Sequence, residues 1–108
     1  LAEMTVHNGV AYLAGQVPED TSADITGQTA QVLEKIDALL TEAGSDRSHM
    51  LSAQIWLKDI EKDFAAMNAV WIDWLPAGCA PARATVEARL ASADVLVEIM
   101  VIAVRKAA

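Results

Sequence analysis

From Val95 to Val104 the sequence is apolar at every position except Glu98. Val95, Val97, Ile99, Val101, Ile102 and Val104 are β-branched, so the run predicts a strand buried on both faces. An unpaired carboxylate in such a strand costs several kcal/mol. Glu98 must therefore be paired, protonated or set at a wet cleft. That requirement constrains the fold more than any other feature of the chain.

A partner stands upstream. Residues 82–88 alternate, with Arg83, Thr85 and Glu87 on one side and Ala84, Val86 and Ala88 on the other. Leu90 to Asp94 has the small and polar residues of a connection. An antiparallel hairpin of the two segments is expected, with Arg83 opposite Glu98 or one diagonal away. Such a pair can be a structural ion pair. It can equally be a site, in which the planar fork of Arg83 binds an anion and Glu98 handles a proton.

The preceding chain divides into clear elements. Met4–Val6 and Val10–Ala14 flank His7-Asn8-Gly9, and Asn-Gly between apolar runs signals a hairpin. His7 is expected at an exposed turn. Residues 24–43 read as a helix, because Ile25, Thr29, Val32, Leu33, Ile36, Leu39, Leu40 and Ala43 recur at helical spacing. Asp24 or Ser22 can cap its start, and Gly44 stands where it should stop. Glu34, Lys35, Asp37 and Glu42 read as its solvated face.

His49–Leu57 follows as a strand. Leu51, Ala53, Ile55 and Leu57 are expected on one face, with Met50, Ser52, Gln54 and Trp56 on the other. The second face, partly polar, suits a subunit contact or a cavity lining. Residues 58–62 are charged and turn-like. Asp63 is expected to cap a second helix, Phe64–Leu75, that ends before Pro76 and Gly78. Its tryptophans read as core or interface, and Asn68 lies beside its apolar stripe. Cys79 has no neighbouring cation and no second cysteine, so it reads as an inert thiol.

The order strand, strand, helix, strand, helix, strand, strand predicts a single α+β domain over residues 1–108, with a mixed sheet and both helices on one face. At 108 residues and 54% hydrophobic content, the apolar surplus predicts buried subunit interfaces. A net charge of −7 argues against nucleic acid and anionic membrane partners. No apolar run reaches the ~18 residues a membrane helix needs. The lone cysteine fits a reducing, cytoplasmic setting. No metal-ligand cluster, phosphate loop or dinucleotide fingerprint is present in the sequence.

With these elements placed, the sequence resembles the Rid family (YjgF/YER057c/UK114), in its short YoaB-like branch. The resemblance covers nearly the whole chain. It is carried by AGQVPED at 14–20, QTAQVLEKIDALLTEAGS at 28–45, IWLKDIEKDFAAMNAVW at 55–71, PARATVEARL at 81–90 and VEIMVIAV at 97–104. It implies the chorismate-mutase-like Rid fold, and a homotrimer with clefts between neighbouring subunits.

It also implies hydrolysis of enamines or imines, such as 2-aminoacrylate, to 2-oxo acids and ammonia, with no metal or organic cofactor. Arg83 would hold the substrate carboxylate and Glu98 would activate water, as the catalytic pair. Thr85, Gly15 and Asn68 are the further substrate-binding positions implied. Three positions depart from the family pattern. Thr85 stands where many members have Cys or Ser, Ala14 stands where relatives often have Ser, and the tyrosine of archetypal members would fall near Leu1. Two other functions remain open: a non-catalytic trimer that binds a small carboxylate as sensor or stabilising partner, and a ribonuclease or translation inhibitor.

Overall fold

The computed structural model describes residues 1–107. Strands β1 (Met4–His7) and β2 (Val10–Leu13) form the expected hairpin. Asn8 and Gly9 both take positive φ, +50° and +77°, which a two-residue turn of this hand requires. Helix α1 (Ile25–Glu42) is capped by Asp24, whose side chain accepts from Gly27 N. It closes at Gly44, φ +77°, with Ser45 N donating to Leu40 O. A single 3-10 turn, Arg47–His49, leads into β3 (Met50–Leu57). Then come α2 (Ile60–Trp74), β4 (Ala82–Glu87) and β5 (Val97–Val104).

The sheet order is β1-β2-β5-β3-β4. The expected hairpin of the last two strands does not form. β3 stands between them, pairing parallel with β4 and antiparallel with β5. A parallel β3–β4 pair needs a crossover, and α2 supplies it. Both helices cover one face. There Leu33, Ile36, Leu40, Met67 and Trp71 pack on Ala11, Ala53, Ile55, Leu57, Ile99 and Val101 in one core.

Three local expectations change. β5 is fully buried on the helix face only, while Glu98, Met100, Ile102 and Val104 are half-buried on the open face. α2 starts four residues earlier than the pattern suggests, because Asp59 rather than Asp63 accepts from Lys62 N. The acidic residues Glu61 and Asp63 then fall in its first turn, where the helix dipole favours them. In β3 a bulge between Met50 and Ser52 turns Met50 inward and leaves Leu51 half exposed, reversing the expected faces at that end. Ser52, Gln54 and Trp56 lie on the open face as expected, and His7 is exposed.

Polar stitches hold the elements together. Gln28, fully buried, donates to the carbonyls of Thr21, Ala23 and Asp94 and accepts from Leu96 N. One side chain thus fastens the 14–24 loop to the segment before β5. Asp37 is half-buried rather than simply solvated. It binds Arg47 through both oxygens at 2.7 and 2.6 Å, and accepts from Trp74 Nε1 at 3.1 Å. Arg47 also donates to Trp74 O, and its pKa is raised by the hydrogen bond to Asp37 and by the charge of Asp37. His49 is half-buried against Asp46, which also caps the 3-10 turn.

Two outcomes follow from these stitches. Gln28→Ala leaves three carbonyls and one amide without their partner, and urea unfolding should show a loss of about 3 kcal/mol. Asp46 is lowered from 3.8 to about 2 by hydrogen bonds from His49 and Ser48. Its stabilising contribution is therefore complete above about pH 4 and is lost as pH falls toward 2. In thermal melts between pH 5 and 2, Asp46→Asn should flatten the acid side of the Tm profile.

Candidate functional site

Register decides where each candidate residue points. Arg83 stands opposite Ala53, and Ala53 is buried under the helices, so Arg83 lies on the helix face. Glu98 stands opposite Trp56, on the open face. The two residues are two strands and three positions apart, about 14 Å between Cα atoms. The sheet separates their side chains. Within one chain Arg83 and Glu98 are neither an ion pair nor a joint site.

Arg83 belongs to a group on the helix side of edge strand β4. It donates from Nη1 to Asn68 Oδ1 at 2.6 Å. Its Cζ lies 5.8 Å from the ring centres of both Phe64 and Trp71. Residues 64, 68 and 71 follow α2's helical repeat, so a single helix face cradles the guanidinium. Among the described residues, Arg83 has no carboxylate within ion-pair distance. Its remaining N–H groups are free to meet an anion.

Thr85 adds to this group. Its Oγ1 is buried and is without a hydrogen-bond partner among the described residues. The strand edge contributes as well. Ala88 N donates to Leu57 O, so even-numbered residues of β4 face β3. Arg83, Thr85 and Glu87 therefore turn their backbone N–H groups to the free edge. A guanidinium, an orphan hydroxyl and outward amides on one edge are hydrogen-bond donors of the kind that suit an anion.

Glu98 and Gly15 form a second group, on the open face. Gln16 bridges to Ile99, exchanging two backbone hydrogen bonds at 2.8 and 3.1 Å, and this holds residues 14–16 beside β5. A Cβ on Gly15 would fall 2.1 Å from Glu98 Oε2. The carboxylate rests on bare backbone, so a side chain at position 15 would require it to move aside. Glu98 accepts no hydrogen bond from another described residue. Trp56 stands across from it. Nearby, a hollow of about 330 Å³ is lined by Ser52, Ala53, Gln54, Ala82, Arg83, Ala84, Met100 and Ile102.

The structure thus joins Arg83, Asn68 and Thr85, and separately joins Gly15 and Glu98. Two contributors escaped the sequence reading. Phe64 and Trp71 were legible only as an apolar stripe, since nothing in their spacing tells a core face from a surface that carries a cation. Cys79 is half-buried in the 75–81 connection and belongs to neither group.

Comparison with known proteins agrees with this fold. The family model described as endoribonuclease L-PSP matches residues 2–105. A RutC family protein of Haemophilus influenzae is 48% identical over 104 residues, covering 95% of this chain and 89% of that protein. The RutC family protein YoaB of Escherichia coli K12 is 45% identical over 102 residues, covering 94% and 88%. Among solved structures, a member of the YjgF protein family from Neisseria meningitidis superposes with a TM-score of 0.94 at 48% identity, covering 98% of this chain and 87% of that one. With a matched family model over almost its whole length and the same fold in its relatives, the chain belongs to the YjgF/Rid family.

Proposed function

We propose that the protein hydrolyses reactive enamines and imines, such as 2-aminoacrylate, to 2-oxo acids and ammonia, in clefts between copies of the chain. The observation that carries this reading is Arg83. It is a half-buried guanidinium, held by Asn68 and without a carboxylate of its own, beside the unpartnered hydroxyl of Thr85. Such an arrangement suits an incoming carboxylate.

The chemistry asks little more. 2-Aminoacrylate tautomerises to its imine. Water adds to the C=N carbon while Glu98 accepts a proton from it and passes it to the nitrogen. The resulting carbinolamine gives its hydroxyl proton to the nitrogen by way of Glu98 and expels ammonia as its C–N bond breaks and the C=O forms. Imines hydrolyse unaided, so holding the carboxylate and placing one base are sufficient contributions.

Because the sheet lies between Arg83 and Glu98, a complete site needs the Arg83 edge of one copy against the Glu98 face of another. The half-buried apolar residues Trp56, Met100 and Ile102, with Tyr12 and Val86, favour such a contact. A trimer closes it without leaving an exposed edge. The net charge of −7 weighs against an RNA substrate, although the family model's description names an endoribonuclease.

The test is 2-oxo acid release from 2-aminoacrylate generated in situ. Wild type should exceed the spontaneous rate. Arg83→Ala should lose about 100-fold in kcat/KM. Glu98→Gln should lower kcat about 100-fold and leave 2-oxo acid affinity within about threefold. Turnover that survives Glu98→Gln would reject its role as base, and intact affinity without any wild-type turnover would support a carboxylate-binding protein instead. Gly15→Ala should keep stability within about 1 kcal/mol, since a flexible carboxylate can move aside. It should cut kcat about tenfold, because the base is then misplaced.

A further inference from the structure

Arg83 stands at one end of a row of stacked groups that begins far from it, on α1. Asp37 grips Arg47 through both carboxylate oxygens. Arg47 Cζ lies 4.9 Å from the centre of the Trp74 ring. The rings of Trp74 and Trp71 are 5.6 Å apart and tilted by 36°. Trp71 in turn lies 5.8 Å from the Arg83 guanidinium, and Phe64 lies at the same distance from it. Anion, cation, two indoles and a second cation follow one another without a gap.

Each member of this row is fixed by the one before it. Trp74 cannot turn freely, because its Nε1 donates to Asp37 and its face carries Arg47. Trp71 is 3% exposed and has the Trp74 ring against it. It therefore presents its ring to Arg83 in a set orientation. A guanidinium is attracted to such a ring face and is more weakly hydrated than an ammonium, so it settles there. Asn68 fixes one nitrogen, but one hydrogen bond cannot fix the plane of the group. The aromatic neighbours do that.

We propose that Trp71, Trp74 and Arg47 are positioning residues for Arg83, and that the Asp37–Arg47 pair on α1 sets how well the site binds carboxylate. The proposal rests on Arg83 being the carboxylate anchor. It requires that changes at Arg47 or Trp74, which touch neither substrate nor Arg83, weaken binding through the row. Coupling of this kind is carried by packed groups that hold one another in place.

The experiment combines titration with 2-oxobutanoate, a stable product analogue, and steady-state kinetics of imine hydrolysis. The proteins are wild type, Arg83→Ala, Arg47→Met, Trp74→Leu and Trp74→Phe. Arg47→Met and Trp74→Leu should raise Kd and KM together, about three- to tenfold, with kcat within about twofold. Trp74→Phe keeps an aromatic face but cannot donate to Asp37, and it should recover most of the affinity.

A second measurement needs no destabilising change. Saturating 2-oxobutanoate should alter the coupled-indole circular dichroism of Trp71 and Trp74 in wild type, and this change should vanish in Arg83→Ala. Unchanged Kd and KM in folded Arg47→Met and Trp74→Leu overturn the proposal. So does a Trp74→Phe protein as weak as Trp74→Leu, or a wild-type spectrum indifferent to ligand. If wild type does not bind 2-oxobutanoate, or Arg83→Ala binds it equally well, the anchor reading itself falls. Binding that depends on Arg83 but ignores Arg47 and Trp74 removes only the row.

Discussion

The place of β3 between β4 and β5 governs most of what the molecule can do. Its parallel pairing with β4 sets Arg83 opposite buried Ala53. Its antiparallel pairing with β5 sets Glu98 opposite Trp56. A strand's side chains alternate, so these two registers send the cation and the carboxylate to opposite faces. A slip of one residue in either ladder would reverse one of them. The apolar residues that bury β3, Ala53, Ile55 and Leu57, forbid such a slip. Packing thus fixes the separation of Arg83 from Glu98, and under the proposed function each chain supplies half a site.

α2 carries two duties on adjoining faces. Asp63, Met67 and Trp71 turn toward the core, while Phe64, Asn68 and Trp71 surround Arg83. Trp71 serves both, since its ring is buried yet lies against the guanidinium. A helix that crosses from β3 to β4 must pass over the edge strand, where Arg83 and Thr85 lie. The crossover connection and the support of Arg83 are therefore the same piece of structure. Gln28 plays the matching part on the other side, where it ties α1 to the approach of β5.

Local signals carried much of this into the sequence. Asn8-Gly9 marked the first hairpin, the apolar stripe marked α1, and the alternating pattern marked which residues of β3 face outward. The unusual position of Glu98 was legible as well, and its wet, half-buried face answers the conflict that an apolar strand posed. The place of β3 between β4 and β5 was not legible. Strands adjacent in sequence usually pair, and nothing in residues 88–96 announces a connection that passes a third strand. The start of α2 was hidden because Asp59, Glu61 and Lys62 suit a turn and a first helical turn alike. Asp37 looked solvated because its partners, Arg47 and Trp74, come from two other segments. The bulge at Leu51 leaves no mark in a hydrophobic pattern. Long-range contacts decided the sheet order and the partners of Asp37.

The pairing of β2 with β5 has a consequence for how the chain folds. Val10 meets Val104 and Tyr12 meets Ile102, so this ladder joins residues from almost opposite ends of the described chain. Arg105 N donates to Gly9 O, and Lys106 N donates to Gly44 O, which extends the closure. Only the β1–β2 hairpin and the two helices can form from neighbours alone. The β2–β5 ladder must wait for closure of a loop that spans most of the described chain, and its entropy is lost before any ladder bond repays it. Partial unfolding that frees β5 would remove one partner of β2 and one partner of β3 in the same event.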